Sequence, residues 1–78
     1  MLDVVIVTPQ RVLFSGQAGQ VIVPGAQGVF EILPFHRPIV SLLLPGLVVV
    51  DDQAIPISRG VIKVAFNAVT AIVEPESS

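Results

Sequence analysis

Short apolar runs, rich in β-branched residues and separated by turn residues, dominate the pattern along this chain. Strands of this length with frequent turn signals are typical of an all-β sandwich or barrel. Seven prolines and six glycines interrupt every stretch that is long enough for a helix. We therefore predict an all-β fold, a small antiparallel β-sandwich or flattened barrel of about 8–10 short strands. The predicted strands are Leu2–Thr8, Arg11–Phe14, Gln20–Val23, Val29–Leu33, Ile39–Leu44, Leu47–Val50, Ala54–Ile57, Val61–Phe66 and Val69–Glu74.

The faces of some strands follow from period-2 alternation. In Val61–Phe66 the even-numbered residues, Phe66 included, share one face, and Lys63 marks the other as the solvent side. Two other runs, Val4–Val7 and Leu42–Leu44, are apolar on both faces. Because one core covers only one face of a strand, we expect either a covered edge or a partner surface at these two runs.

Turn signals punctuate the runs. Pro24-Gly25 fits a type II turn, because Pro fixes φ and Gly takes a positive φ, and Pro45-Gly46 has the same form. Gly60 is expected to permit a tight turn after a strand. Asp51–Gln53 is a polar hairpin tip between two apolar strands, and Asn67-Ala68 is a weaker one.

The apolar content is high for so small a domain. Hydrophobic residues make up 53% of the chain and charged residues 13%, against about 25% charged in an ordinary soluble domain. A small domain has a high ratio of surface to volume, so some apolar side chains must lie at the surface. Two interpretations remain open: a contiguous surface that meets a partner, or Ala and Val side chains scattered singly.

Composition argues against several functional classes. The chain has a net charge of −2, four Phe and no Tyr or Trp. It therefore lacks the basic stripe and the stacking aromatics that are typical of a nucleic-acid-binding domain. No stretch supplies the roughly 20 mostly apolar residues of a membrane-spanning helix. The N-terminus lacks the positive segment of a signal peptide, so we predict a soluble, cytosolic chain. With no cysteine and one histidine, no metal site is predicted.

Three patterns resemble reactive sites without supplying their chemistry. The G-x-x-G spacings at 16–19 and 25–28 are not followed by a helix that would hold phosphates, so we interpret them as turn glycines. Asp51 and Asp52 resemble a paired-carboxylate site, but adjacent residues of a strand point to opposite faces, and at a hairpin tip both are solvated. Ser58 and His36 lack a strained nucleophile turn and a buried acid. We predict no catalytic, cofactor-binding or metal-binding residues.

The single histidine lies in the stretch EILPFHRP, residues 31–38, between two prolines. The prolines fix φ at their own positions and hold the preceding residues extended. A stiff loop that presents Phe35, His36 and Arg37 loses little entropy on docking, which favours recognition. The alternative is that Phe35 packs inward while His36 bonds a backbone carbonyl, and the sequence leaves both open. Two interpretations of Arg59 also remain open: it is either a plain surface cation or an anchor residue in an interface.

An ordered set of short motifs runs from Val12 to Gly46, and a final apolar stretch, ISRGVIKVAFNAVTAIVE, follows it. The motifs are Phe14-Ser15-Gly16, Pro24-Gly25, Gly28, Ile32-Leu33-Pro34, His36, Pro38, Ile39-Val40 and Pro45-Gly46. Together these residues resemble the N-terminal β-sandwich domain of the epsilon subunit of F-type ATP synthases. The resemblance covers nearly the whole chain.

The resemblance implies a non-catalytic central-stalk (rotor) subunit of a proton-translocating ATP synthase. Such a subunit docks to gamma and the ring of c subunits, couples rotation to ATP synthesis, and meets the alpha/beta catalytic head only indirectly. It is peripheral at the cytoplasmic face of the bacterial plasma membrane and needs no cofactor. By position, the residues expected to face the c-ring are Ala26, Gln27, Gly28, Val29 and Glu31. Those expected to face gamma are Phe35, His36, Arg37, Pro38 and Ile39.

The sequence departs from the family pattern at Phe35 and Arg59, where the family commonly has Gly, and at Arg37, where it commonly has Ala. The family usually continues into a two-helix C-terminal domain that inhibits ATP hydrolysis in many members. We predict an epsilon-type sandwich over residues 1–74, a short polar tail over 75–78, and no C-terminal helical domain. The alternative function is a free-standing β-sandwich adaptor that binds a peptide strand at a sheet edge.

Overall fold

A computed structural model describes residues 1–76, which form eight β-strands and no helix. The predicted all-β sandwich is therefore confirmed. No helix in the described part of the chain is long and apolar enough to cross a membrane. The strands are β1 (Leu2–Val7), β2 (Val12–Ala18), β3 (Val21–Gly25), β4 (Gly28–Ile32), β5 (Ile39–Leu43), β6 (Gly46–Val50), β7 (Gln53–Ala65) and β8 (Ala68–Pro75).

The strands pair in the order β2-β1-β8-β7-β5-β3-β4, and β6 joins β3 to β7. The long strand β7 makes this closure possible, because its first half pairs with β6 and its second half with β5. The pairings β3–β6, β6–β7, β7–β5 and β5–β3 close a ring of strands. All pairs are antiparallel except β1 with β8, which is parallel and which local patterns do not predict.

A single apolar core lies inside the sandwich, and alternation of buried and exposed residues in strands such as β1 and β8 builds it. In β1 and β8 every second residue is buried, and the residues between face solvent. A shift of one residue in either strand would turn its buried set to the outside, so this pattern fixes the register. The buried residues are Leu2, Val4, Ile6, Ala18, Val21, Val23, Ile32, Leu43, Val48, Val50, Ile57, Ile62, Val64, Val69, Ala71 and Val73.

Two of the predicted strands form one continuous strand in the structure. Ala54–Ile57 and Val61–Phe66 merge into β7, and the tight turn expected at Gly60 does not exist. A Cβ on Gly60 would lie 2.7 Å from the carbonyl oxygen of Ile72 and 2.8 Å from Cγ1 of Val73. The glycine therefore serves the close approach of β8, an interstrand requirement that the local sequence does not reveal.

Other predicted turns are displaced. Pro24 and Gly25 are buried within β3, and the turn falls on Ala26 and Gln27. Gly25 is needed because a Cβ there would lie 2.6 Å from the ring of Phe30. Gly16 lies within β2, and Gly46 begins β6.

The ends of the last strands also differ from the prediction. The β7 strand ends at Ala65, so Phe66 leaves the buried face on which period-2 alternation placed it and is 94% exposed. Strand β8 continues to Pro75, the first residue of the predicted tail. Ser77 and Ser78, which complete that tail, lie outside the described residues.

Candidate functional site

An open groove of about 580 Å³ runs between β4 and β5. The turn after β3 forms one end of the groove, and the loop between β4 and β5 forms the other. Most residues of the two predicted docking segments therefore line one continuous surface. The lining residues are Gly25, Ala26, Gln27, Gly28, Val29, Phe30, His36, Arg37, Ile39, Val40, Ser41 and Leu42.

The turn end of the groove presents backbone and small side chains to solvent. The N–H of Ala26 donates to the carbonyl oxygen of Leu42 at 3.1 Å, which fixes the turn against β5. Gly28 has a φ of 124°, a conformation that an L residue rarely adopts. Val29 is 72% exposed, so it contributes little to the core. Glu31 is exposed on β4 but does not line the groove.

The loop end holds the single histidine, which is half-buried. Its Nδ1–H donates to the carbonyl oxygen of Arg37 at 2.7 Å, and its backbone N–H donates to the carbonyl oxygen of Leu33 at 3.1 Å. The ring therefore stiffens the loop by bonding the backbone, one of the two interpretations that the sequence left open. Ile39 and Arg37 line the groove beside it, whereas Pro38 is exposed outside it.

Phe35 stands out of the loop with 90% of its surface exposed. The inward-packing interpretation is therefore wrong. Its φ is 68°, in the left-handed region that costs an L residue about 1–2 kcal/mol. Its backbone N–H donates to Oδ1 of Asn67 at 2.6 Å, which ties the β4–β5 loop to the β7–β8 hairpin.

Sequence reasoning placed Asn67 in a turn but assigned Phe66 to a strand, and it marked neither residue as part of a candidate site. Both have positive φ, 52° and 63°, which is the pattern of a type I′ turn. Asn favours this conformation, and an Asn in a predicted turn was the available signal. Phe does not favour it, so nothing local marked Phe66 as a turn residue.

The polar groups considered as reactive sites are engaged in structural bonds. The hydroxyl of Ser58 donates to the carbonyl oxygen of Glu74 at 3.3 Å, so it does not bond His36. Oδ1 of Asp51 accepts from the N–H groups of Gly19 and Gln20 at 3.0 and 3.2 Å. Among residues 1–76, no group of three or more His, Cys, Asp or Glu side chains is placed to hold a metal ion.

Arg59 forms a bidentate ion pair with Glu74, with Nε–Oε2 and Nη2–Oε1 distances of 2.7 and 3.2 Å. The hydrogen bonds and the opposite charge raise the pKa of Arg59 and lower the pKa of Glu74. Both side chains are exposed, so solvent screens the pair and its contribution to stability is small.

A second apolar surface lies on the outside of the sheet. Leu42, Val61 and Ile72 stand side by side on β5, β7 and β8, and each is exposed. Val5 is also exposed on β1. Leu42, from one of the two-sided runs, therefore belongs to a contiguous apolar patch, which favours the first interpretation of the high apolar content.

A family model of the ATP synthase delta/epsilon chain β-sandwich domain matches residues 1–75. Curated relatives agree with it. The ATP synthase epsilon chain of Parvibaculum lavamentivorans is 38% identical over 83% of this chain and 49% of its own length. The ATP synthase epsilon chain of Nitratiruptor is 37% identical over 94% of this chain and 60% of its own length. The chain thus spans about half to three fifths of the length of these relatives.

A solved structure has the same fold. A chain in the central stalk/c-ring of the mitochondrial ATP synthase of Tetrahymena thermophila matches with a TM-score of 0.75 and 16% identity. The match covers 94% of this chain and 63% of that chain. At this level of identity the likeness concerns the fold alone.

Proposed function

The chain belongs to the family of the ATP synthase delta/epsilon chain β-sandwich domain, and we propose that it is a non-catalytic part of the rotor of a proton-translocating ATP synthase. In this role it docks to the gamma subunit and to the c-ring and couples rotation to ATP synthesis. The observation that carries the proposal is the family match over residues 1–75, nearly all of the described chain. The epsilon-chain relatives support it.

The groove supports two docking segments on one body. Ala26, Gln27 and Val29 at the turn end meet the c-ring in this proposal, with Glu31 beside them on β4. The loop that carries His36 meets gamma. Strand β4 has five residues and extends about 13 Å at the usual rise per residue, with the turn at its start and the loop at its end.

A joint that transmits torque must deform little. The core of this sandwich is continuous and fully buried, and packed protein interiors have low compressibility. The closed ring of paired strands adds interstrand hydrogen bonds on β3, β5, β6 and β7. We propose that the domain acts as a rigid connector and contributes no catalytic group, and that it is held at the cytoplasmic face of the bacterial plasma membrane only through the complex.

The proposal is tested by capture of gamma, and then of gamma with c-rings, from the same organism on the tagged chain. We expect a stable complex. Val40→Arg places a charge in the groove at a residue that is 71% exposed, and it should weaken capture at least tenfold. Val12→Arg is the matched control, because Val12 is 59% exposed on edge strand β2 and does not line the groove.

Absence of a complex, under conditions in which a full-length epsilon chain binds the same gamma subunit, would contradict the proposal. Equal loss of capture for both arginine variants would show that the groove is not the binding surface.

A second candidate function has one observation in its favour. Among the described residues β4 pairs only with β3, so its other edge is open and faces the groove. Open edges accept extended peptides by strand addition. An adaptor of this kind would bind extended peptides in isolation and would not require gamma, which the same capture experiment distinguishes.

A further inference from the structure

Two phenylalanines are almost entirely exposed in this chain. Phe35 in the β4–β5 loop is 90% exposed, and Phe66 in the β7–β8 hairpin is 94% exposed. Their φ values, 68° and 52°, lie in the left-handed region. Glycine or asparagine would adopt this conformation at lower cost. Neither ring is buried in the core, so packing of the core explains neither residue.

The two residues belong to one surface. Asn67 follows Phe66 directly, and its Oδ1 accepts the backbone N–H of Phe35 at 2.6 Å. The N-terminal end of β5 pairs with the C-terminal end of β7, from Ile39 with Val64 onward, which brings the loop beside the hairpin. We call Phe35, Phe66 and Asn67 the aromatic end of the sandwich.

Charged side chains of both signs lie around the aromatic end. The N–H of Asp3 donates to the carbonyl oxygen of Asn67 at 2.8 Å, so β1 begins at this end. The Asp51–Asp52 turn is at the same end, since Val50 and Ile32 both pair with Val21. These three aspartates are exposed. Arg37, two residues after Phe35 in the same loop, is also exposed, so a partner suited to the aromatic end has an apolar centre and a polar rim.

We propose that Phe35 and Phe66 are paired aromatic anchors for the gamma subunit, held at fixed spacing by the side chain of Asn67. This inference rests on the proposed function and adds the β7–β8 hairpin to the gamma-docking loop. Exposed aromatic side chains on stiff turns lose little entropy on binding and are frequent hot spots of interfaces.

The position of the aromatic end favours gamma over the c-ring. The loop that carries Phe35 follows β4, whereas the turn at Ala26 and Gln27 precedes it. The two features are therefore at opposite ends of the strand. Phe66 continues the surface of the gamma-docking loop, not that of the c-ring turn.

The experiment measures affinity of the full chain for its cognate gamma subunit, with thermal unfolding in parallel. Phe66→Gly removes the ring and suits the positive φ, so the midpoint of unfolding should be unchanged or higher. Affinity should fall at least tenfold, which corresponds to about 1.4 kcal/mol. Leu47→Ala is the control, because Leu47 is 52% exposed at the start of β6, away from the aromatic end. Its affinity should match that of the unmodified chain.

Asn67→Gly tests the positioning role, since it keeps the backbone conformation and removes the bond to Phe35. We expect weaker gamma binding with both rings present.

The outcomes are distinct. If the unmodified chain binds gamma and Phe66→Gly binds within twofold of it, the inference is overturned and the proposed function stands. If the unmodified chain does not bind gamma, both fail. If the chain alone forms dimers that Phe66→Gly dissociates, the surface serves a second copy and the inference is likewise overturned.

Discussion

At the scale of single residues, two phenylalanines five residues apart have opposite roles. Phe30 is half-buried, packs against the core and occupies the space that a Cβ on Gly25 would need. Phe35 is 90% exposed five residues later. Aromatic content alone therefore does not distinguish packing residues from surface anchors in this chain.

We predict that Phe35→Ala leaves the free energy of unfolding within about 0.5 kcal/mol of the unmodified value, because the ring has almost no contact to lose. Phe30→Ala should lower it by roughly 2 kcal/mol, less than for a fully buried ring. Urea denaturation followed by circular dichroism measures both. A large loss for Phe35→Ala would place its ring in the core and contradict the structure.

Gly60 offers a residue-scale test of the interstrand contact. Gly60→Ala sets a Cβ 2.7 Å from the backbone oxygen of Ile72, and a backbone atom cannot move aside as a flexible side chain can. We expect a loss of about 1–3 kcal/mol in the free energy of unfolding. Gly16→Ala is the control, because its nearest neighbours are ring atoms of Phe14 at 3.8 Å. It should be neutral in the same urea titration.

At the scale of strands and turns, the sequence predicts what alternation and turn chemistry determine locally. Strands β1 and β8 and the Asp51–Asp52 turn fall within one residue of where they were expected, because runs of β-branched residues and solvated carboxylates mark them locally. Pro24-Gly25 and Gly60 were interpreted as turns, yet both glycines are required by atoms distant in sequence or in a neighbouring strand. A single sequence does not disclose those neighbours.

The candidate site was predicted unevenly for the same reason. The turn at Ala26 and Gln27 and the loop at His36 came from the family resemblance, and the structure joins them in one groove. Val40 and Leu42 complete that groove through the course of β5, which no motif marks. Phe66 was missed because alternation was continued one residue beyond the end of β7.

The turn between β1 and β2 gives an element-scale prediction. Oγ1 of Thr8 accepts the N–H groups of Gln10 and Arg11, each at 3.1 Å, and the residue is 7% exposed. Thr8→Val keeps the shape and leaves these donors without their partner, so we expect a loss of about 1–2 kcal/mol in the free energy of unfolding. Thr8→Ser keeps the hydroxyl and should retain most of the stability. A loss for Thr8→Ser without a loss for Thr8→Val in urea titrations would instead assign the effect to the methyl group.

At the scale of the whole molecule, the sandwich separates its two proposed contacts along one rigid body. The core residues form one buried cluster, and β4, which joins the turn end to the loop end of the groove, is paired with β3 along its whole length. A change at one end should therefore not reach the other through a shift of the backbone. Substitutions at well-separated sites without shared partners are usually additive.

This separation gives a prediction about the two partners. Val29→Asp, at a side chain that is 72% exposed, should weaken binding to the c-ring on the order of tenfold and leave gamma binding unchanged. Arg37→Ala should do the reverse, since Arg37 lies at the loop end of the groove. Separate affinity measurements with gamma and with detergent-solubilised c-rings test both variants, and thermal unfolding checks that each remains folded. Because a rigid strand separates the sites, the double variant should show both losses at their single-variant size. If each variant instead weakens both partners equally, the two contacts share one surface and the proposed division along the groove is wrong.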